Sequence, residues 1–118
     1  MHAKMETVGD TLMVRVGGDL DMAITDELRS VIDERLKREK PRNLIWDMSD
    51  VSFIDSSGLG VIIGRYKKVM GQGGRSYIVK ARPPVAKLLE VSGISKLIPI
   101  HTNEKEILSA EKRRIRES

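Results

Sequence analysis

Asp50-Val51-Ser52-Phe53-Ile54-Asp55-Ser56-Ser57-Gly58-Leu59-Gly60 lies between two segments of opposite periodicity. Before it stands Leu44-Ile45-Trp46-Asp47-Met48, a short and almost wholly apolar run that suits a strand covered on both faces, as in a parallel sheet. After it, Leu59, Ile62, Ile63, Tyr66, Val69 and Met70 repeat at helical spacing. A helix is therefore predicted over Ser57–Met70, ended by Gly71-Gln72-Gly73-Gly74. Strand, polar turn and helix make half of a β-α-β unit, and in open α/β sheets function gathers beyond the carboxyl ends of the strands. Two serines and an aspartate at this turn, followed by two glycines that admit a close approach, mark it as the candidate site.

The flanks supply the rest of the fold. Toward the N-terminus, Leu12, Val14 and Val16 alternate with Met13 and Arg15, the period of a strand. The weaker run Met5–Val8 and the turn pair Gly9-Asp10 complete a hairpin. Ile24, Leu28, Val31, Ile32 and Leu36 share one helical face. Asp21 or Thr25 can cap that helix and Pro41 stops it. Toward the C-terminus, Ser76–Val79 reads as a strand, and Pro83-Pro84 opens a short helix carrying Val85, Leu88 and Leu89, with Gly93 as its cap. Leu97–Ile100 reads as an edge strand because of Pro99. Asn103, with Glu106 three residues on, begins a last helix bearing Ile107 and Ala110. The order β-β-α-β-α-β-α-β-α predicts a single α/β domain over 1–118, with a mixed, mostly parallel sheet, an N-terminal hairpin and about four helices. The basic tail 111–118 is expected to fray.

Composition narrows the function classes. The 118 residues fit one domain of roughly 100–200 residues. The absence of cysteine removes disulfides, thiolate catalysis and cysteine-ligated metal, and no metal or cofactor site is predicted. No apolar run approaches the roughly 20 residues of a membrane span, and Met1–Glu6 has no apolar signal core, so the chain reads as cytoplasmic with no membrane partner. Lys and Arg total 21 against 17 Asp and Glu, a net charge of +4. The excess collects at Arg35, Lys37, Arg38, Lys40 and Arg42 and in the tail at Lys112, Arg113, Arg114 and Arg116. Glu34 and Glu39 interleave the first group, and four aromatics leave little for base stacking. A solvated helix face is expected, not a nucleic-acid surface.

Four chemistries compete for the turn. Ser56 or Ser57 can simply cap the helix while Gly58 and Gly60 serve helix–sheet packing. Dinucleotide binding would use Gly58-Leu59-Gly60-Val61-Ile62-Ile63-Gly64, which is one residue too long, and the next strand ends in Lys80-Ala81 where that fingerprint needs an acid. Nucleophilic hydrolysis needs a base, but the two histidines, His2 and His101, stand at a chain end and after an edge strand, and no carboxylate marks His101 as oriented. Catalytic residues are accordingly not expected. The fourth is phosphorylation of a serine, since a phosphate at a helix N-terminus meets free N–H groups and the favourable end of the dipole. Periodicity and spacing leave Ser56 and Ser57 equal.

Phe53-Ile54-Asp55-Ser56-Ser57-Gly58-Leu59-Gly60-Val61-Ile62-Ile63-Gly64-Arg65-Tyr66-Lys67 resembles the signature of bacterial anti-sigma factor antagonists of the STAS-domain family, and most of all its sporulation branch. Gly18-Asp19-Leu20-Asp21 is similar to the family's G-E-L-D motif and Ser92-Gly93-Ile94 to its later S-G-L/I turn, so the likeness runs through nearly the whole chain. It implies a STAS-like fold and a regulatory binding protein, not an enzyme. By that resemblance Ser56 accepts phosphate from an anti-sigma factor that is a serine kinase with bound ADP or ATP. The unphosphorylated form binds the kinase and frees its sigma factor for sporulation transcription, and a PP2C-like phosphatase resets Ser56. The resemblance also implies partner contacts at Asp21, Asp55, Ser56, Ser57, Gly58, Gly60 and Arg65. Arg65 and Lys68 are expected to be partly exposed, and Leu59, Ile62, Ile63 and Val69 to be core. Asp19 in place of the usual Glu, and Met22-Ala23 in place of a more polar pair, bear on partner specificity. A STAS module of a stress-response or sensory assembly is the alternative role.

Overall fold

The computed structural model describes residues 3–109, so the predicted frayed tail and the place of Ala110 in the last helix lie outside the described residues. Strand β1 (Ala3–Val8) turns through Gly9 and Asp10 into β2 (Thr11–Leu20) as an antiparallel hairpin. Gly9 has φ +59, the left-handed backbone that a tight hairpin turn requires of one of its residues. Helix α1 (Met22–Glu39) is capped by Asp21, not Thr25, which is buried; Lys40 closes the helix in the left-handed conformation and Pro41 follows. Then come β3 (Asn43–Ile54), α2 (Ser56–Gly71), β4 (Arg75–Val79), α3 (Pro83–Val91), a 3-10 turn (Ile94–Lys96), β5 (Ile100–His101) and α4 (104–109).

The sheet runs β1-β2-β3-β4-β5, with β2 through β5 parallel. Each strand crosses over to its immediate neighbour in the same direction, so the crossover helices fall on one face. On that face Leu28, Ile32 and Leu36 of α1, Val61, Ile62 and Val69 of α2, and Val85 and Leu89 of α3 cover Leu12, Val14, Trp46 and Ile78 in one continuous core. The other face is closed in part by α4, whose Ile107 packs on Ile45 and Val79. Ile62 and Val69 are core as expected, while Leu59 and Ile63 are half-buried at its margin.

Two expected boundaries shift. Strand β3 does not stop at Met48: it continues through the segment read as a turn and ends at Ile54. Pairing passes from Arg15–Asp47 to Gly17–Asp50, and from Gly18–Val51 to Asp19–Phe53, so β3 gains one residue at each of two bulges. Each extra residue changes which parity faces the core, and the buried positions run Leu44, Trp46, Met48, then Val51, then Ile54. Alternation is broken twice, and the strand is invisible to a period-two reading. Asp47 holds the first bulge by accepting hydrogen bonds from Ser49 N at 2.9 Å and Ser49 Oγ at 2.7 Å.

The second correction is at Leu97–Ile100. Gly93 (φ +87) turns the chain into the 3-10 turn, and only Ile100 and His101 form a strand. Pro99 has no N–H to donate, but its carbonyl still accepts from Ile78 N at 3.0 Å, which aligns the edge.

Candidate functional site

The carboxyl ends of β2 and β3 lie side by side, Leu20 against Ile54, and each leads directly into a helix. Two helix N-termini therefore meet at one corner. Asp21 caps α1 by accepting from Ala23 N at 3.0 Å. Asp55 caps α2 by accepting from Gly58 N at 3.1 Å. The hydroxyl and N–H of Ser57 and Met22 N, the first residue of α1, also act on the Asp55 carboxyl. The bond from Gly58 N, reinforced by those from Ser57 and Met22, holds the Asp55 carboxyl below its ordinary range despite partial burial.

This arrangement separates the two serines. The capping role expected of Ser56 or Ser57 belongs to Asp55, because its carboxylate reaches the orphan N–H groups from the residue before the helix. Ser57 is half-buried and its hydroxyl is engaged with Asp55. Ser56 is exposed, and its hydroxyl makes no hydrogen bond among the described residues. Of the two hydroxyls, the one at the first helical position is free to react.

Gly58 is buried where α2 presses on the end of β2. A Cβ there would lie 2.4 Å from the Leu20 carbonyl oxygen and 2.9 Å from both Leu20 Cβ and an Ile54 side-chain carbon. Its glycine serves this contact, which also brings Asp55 N within 3.2 Å of the Leu20 carbonyl. Gly60 is exposed with nothing near a Cβ position. Asp21, Asp55, Ser56, Ser57 and Gly58 thus form one cluster, with Gly60 on the next half-turn.

Arg65 does not belong to that surface, and its expected exposure is corrected. It is 5% exposed and points between the helices, where its Nε lies 2.9 Å from Asp33 Oδ1 on α1. Burial pulls the guanidinium below its ordinary value while Asp33 opposes the shift. Lys68, exposed as expected, reaches the other Asp33 oxygen at 3.1 Å. Two exposed apolar residues stand at the corner: Met22, 77% exposed, which the sequence tied to partner specificity, and Phe53, 47% exposed, which it did not single out. Phe53 lies within the second bulge, and that break in alternation is the only signal that it faces outward.

His101 is also corrected, since its Nδ1 lies 3.1 Å from a Glu106 carboxylate oxygen. It is no base for Ser56. His101 pairs with Val79 and Val79 with Asp47, leaving Asp47–Ile54 of β3, roughly 20 Å, between that level and the corner.

The STAS-domain family model matches residues 2–107. An anti-sigma F factor antagonist of Paenibacillus polymyxa is 38% identical over 88% of this chain and 89% of its own length. Among solved structures, the anti-sigma factor antagonist SpoIIAA in its unphosphorylated form superposes with a TM-score of 0.81 at 27% identity, over 93% of this chain and 96% of that one. The Bacillus cell fate determinant SpoIIAA in its phosphorylated form gives 0.72 at 27% identity, over 92% and 98%. The chain belongs to the STAS-domain family, a family of regulatory binding proteins and not of enzymes. No helix among the described residues is long and apolar enough to cross a membrane.

Proposed function

We propose that this protein is an anti-sigma factor antagonist switched by phosphorylation of Ser56. In its plain form it binds an anti-sigma factor that is a serine kinase and releases the sigma factor, in sporulation transcription. The kinase, carrying ADP or ATP, inactivates it by phosphorylating Ser56, and a PP2C-like phosphatase restores it. The observation that carries this reading is the division of labour at the corner: Asp55 takes the cap and Ser57, leaving Ser56 exposed and unbonded. The likeness to an antagonist solved in both unphosphorylated and phosphorylated forms supports it.

The physics of a switch follows from charge. A phosphate brings about −1.5 to −2 charges at pH 7 and three acceptor oxygens. The helix dipole favours it at the exposed N-terminus of α2 by roughly 0.3–1 kcal/mol, although Asp55 already takes the Gly58 N–H there, so the fold has little reason to rearrange. Asp21 and Asp55 already make the corner acidic. A partner that covers it, resting on exposed Met22 and Phe53, would bury the added charge without a paired cation. A penalty of about 3–4 kcal/mol would weaken binding by two to three orders of magnitude.

Incubation with labelled ATP and the cognate kinase tests the reading. Label is expected on the parent and on Ser57→Ala, none on Ser56→Ala, and none without kinase. Ser56→Ala should still capture the kinase. Phosphate localised to Ser57 by mass spectrometry would reject the assignment.

A further inference from the structure

Asp33 on α1 meets two cations of α2. Arg65 Nε lies 2.9 Å from its Oδ1, and Lys68 Nζ lies 3.1 Å from its Oδ2. The Arg65 side chain is 6% exposed, yet its Nε and Nη1 and Asp33 Oδ1 make no hydrogen bond. Buried charges without hydrogen bonds recover little of their desolvation cost, and a methionine would fill the same space without it. The cluster is therefore a poor device for stability and a better one for direction. The other inward side chains of the two helices, Leu28, Ile32 and Leu36 on α1 and Val61, Ile62 and Val69 on α2, bury apolar surface, which is non-directional. A carboxylate held from positions i and i+3 of the facing helix fixes both the rotation and the height of that helix.

Both helices start at the corner. Leu20 lies against Ile54, and each strand passes into its helix after one residue. Asp33 stands eleven residues beyond Met22 and Arg65 nine beyond Ser56, roughly 17 and 14 Å along their axes, so the cluster ties the helices at nearly one level above the corner. The strand ends hold each helix at its first residue, and the cluster holds it further up. We propose that Asp33, Arg65 and Lys68 are positioning residues that set the rotation of α2 against α1 and thereby the aim of the Ser56 hydroxyl. A turn of α2 by about 20° would swing an atom roughly 4 Å off its axis through about 1 Å or more. A misplacement of about 1 Å at a reacting group costs on the order of 100-fold in rate. Arg65, buried away from the corner surface, acts on a partner only through this aim. The alignment stands on the ion cluster alone, while its effect on phosphate transfer rests on the reading of Ser56 as the acceptor.

Arg65→Met and Arg65→Lys, compared in the whole chain, test this, since the new side chains are of similar length and differ in charge. Amide spectra of Arg65→Met are expected to show shifts at Met22, Asp55, Ser57 and Gly58, all seven or more residues from the substitution. Its Asp55 carboxyl should titrate closer to the ordinary range than the parent's, because the N–H groups that lower it are less well aimed. Arg65→Lys, whose ammonium still meets Asp33, should bring both readouts most of the way back. With the cognate kinase and labelled ATP, Arg65→Met should lose about tenfold or more in kcat with KM within about twofold, and Arg65→Lys should regain most of the loss. The two spectroscopic readouts need no kinase, so a parent that takes no label rejects the acceptor reading while they still decide the alignment. Corner amides and an Asp55 titration left unmoved by Arg65→Met, or equal changes in the two variants, would overturn the proposal. Moved amides with an unchanged kcat would remove its bearing on Ser56. Should Arg65→Met fail to fold, Lys68→Met decides the matter: Lys68 is 50% exposed, and corner amides that move with it support the alignment, whereas amides that stay in place refute it.

Discussion

Asp55 and Gly58, three residues apart, do different work at one contact. Asp55 gathers the N–H groups of two helices, and Gly58 lets α2 come close enough to β2 for that gathering to happen. The Leu20 carbonyl is backbone and cannot swing aside, so Gly58→Ala must move α2 itself. The expected cost is about 1–3 kcal/mol, as for other overpacked sites, with the α2 N-terminus displaced from Met22. A shift of the urea midpoint measures it, and an unchanged midpoint would show that the helix can tilt freely. Ser56→Ala, an exposed site without hydrogen-bond partners, should leave the midpoint within about 0.5 kcal/mol of the parent and serves as the control.

Helices α1 and α2 are joined by apolar packing and by one buried charge contact. Arg65 meets Asp33 in an ion pair that lacks hydrogen-bond geometry, leaving Arg65 Nε and Nη1 without hydrogen bonds. Removing either partner is not equivalent. Asp33→Ala strands a guanidinium whose side chain is 6% exposed, and the expected loss is about 3 kcal/mol, the lower end for a broken buried pair because Asp33 is 27% exposed. Arg65→Met leaves Asp33 with Lys68 and water while filling the same space, so it should cost clearly less. Paired denaturation curves decide the matter, and equal losses would mean that the pair contributes no more than its packing. The same helix shows where periodicity misleads. Arg65 lies four residues beyond Val61 and four before Val69, both buried, yet a charged residue there reads as surface.

At the scale of the molecule, carboxylates set the acid limit of stability. Asp47 is 2% exposed; burial alone would raise its carboxyl, but hydrogen bonds from the Ser49 hydroxyl and N–H and from Arg15 Nε at 3.1 Å outweigh it and the net shift is downward. Asp55 is lowered too, first by Gly58 N. A carboxyl lowered on folding stabilises the native state fully above its unfolded value, near 3.9, and loses that contribution as pH falls through its lower folded value. Stability should therefore hold from pH 7 to about 5 and fall steeply below about 4. Asp47→Asn should lower stability at pH 7 and flatten that fall, as read from urea midpoints at successive pH values. A variant whose acid limb stays as steep as the parent's would remove Asp47 as a cause.

Element order, the parallel sheet and the position of the site were determined by local pattern, because strand and helix periods, proline stops and glycine turns act over a few residues. The alternation Leu12, Val14, Val16, the helical face Leu28, Ile32, Leu36 and the strand-to-helix turn at Asp55–Gly58 all read correctly from the chain. The site motif was legible as a motif, and its resemblance to STAS-domain proteins pointed to the corner. What the tertiary structure alone decided depends on partners far away in sequence. The two bulges of β3 exist only against β2, so Phe53 could not be placed. Arg65 is buried because Asp33, thirty-two residues earlier, stands opposite it. The distinction between Ser56 and Ser57 arises because Met22 and Leu20 bring a second helix and strand end to Asp55, whose carboxylate then engages one hydroxyl and leaves the other to solvent.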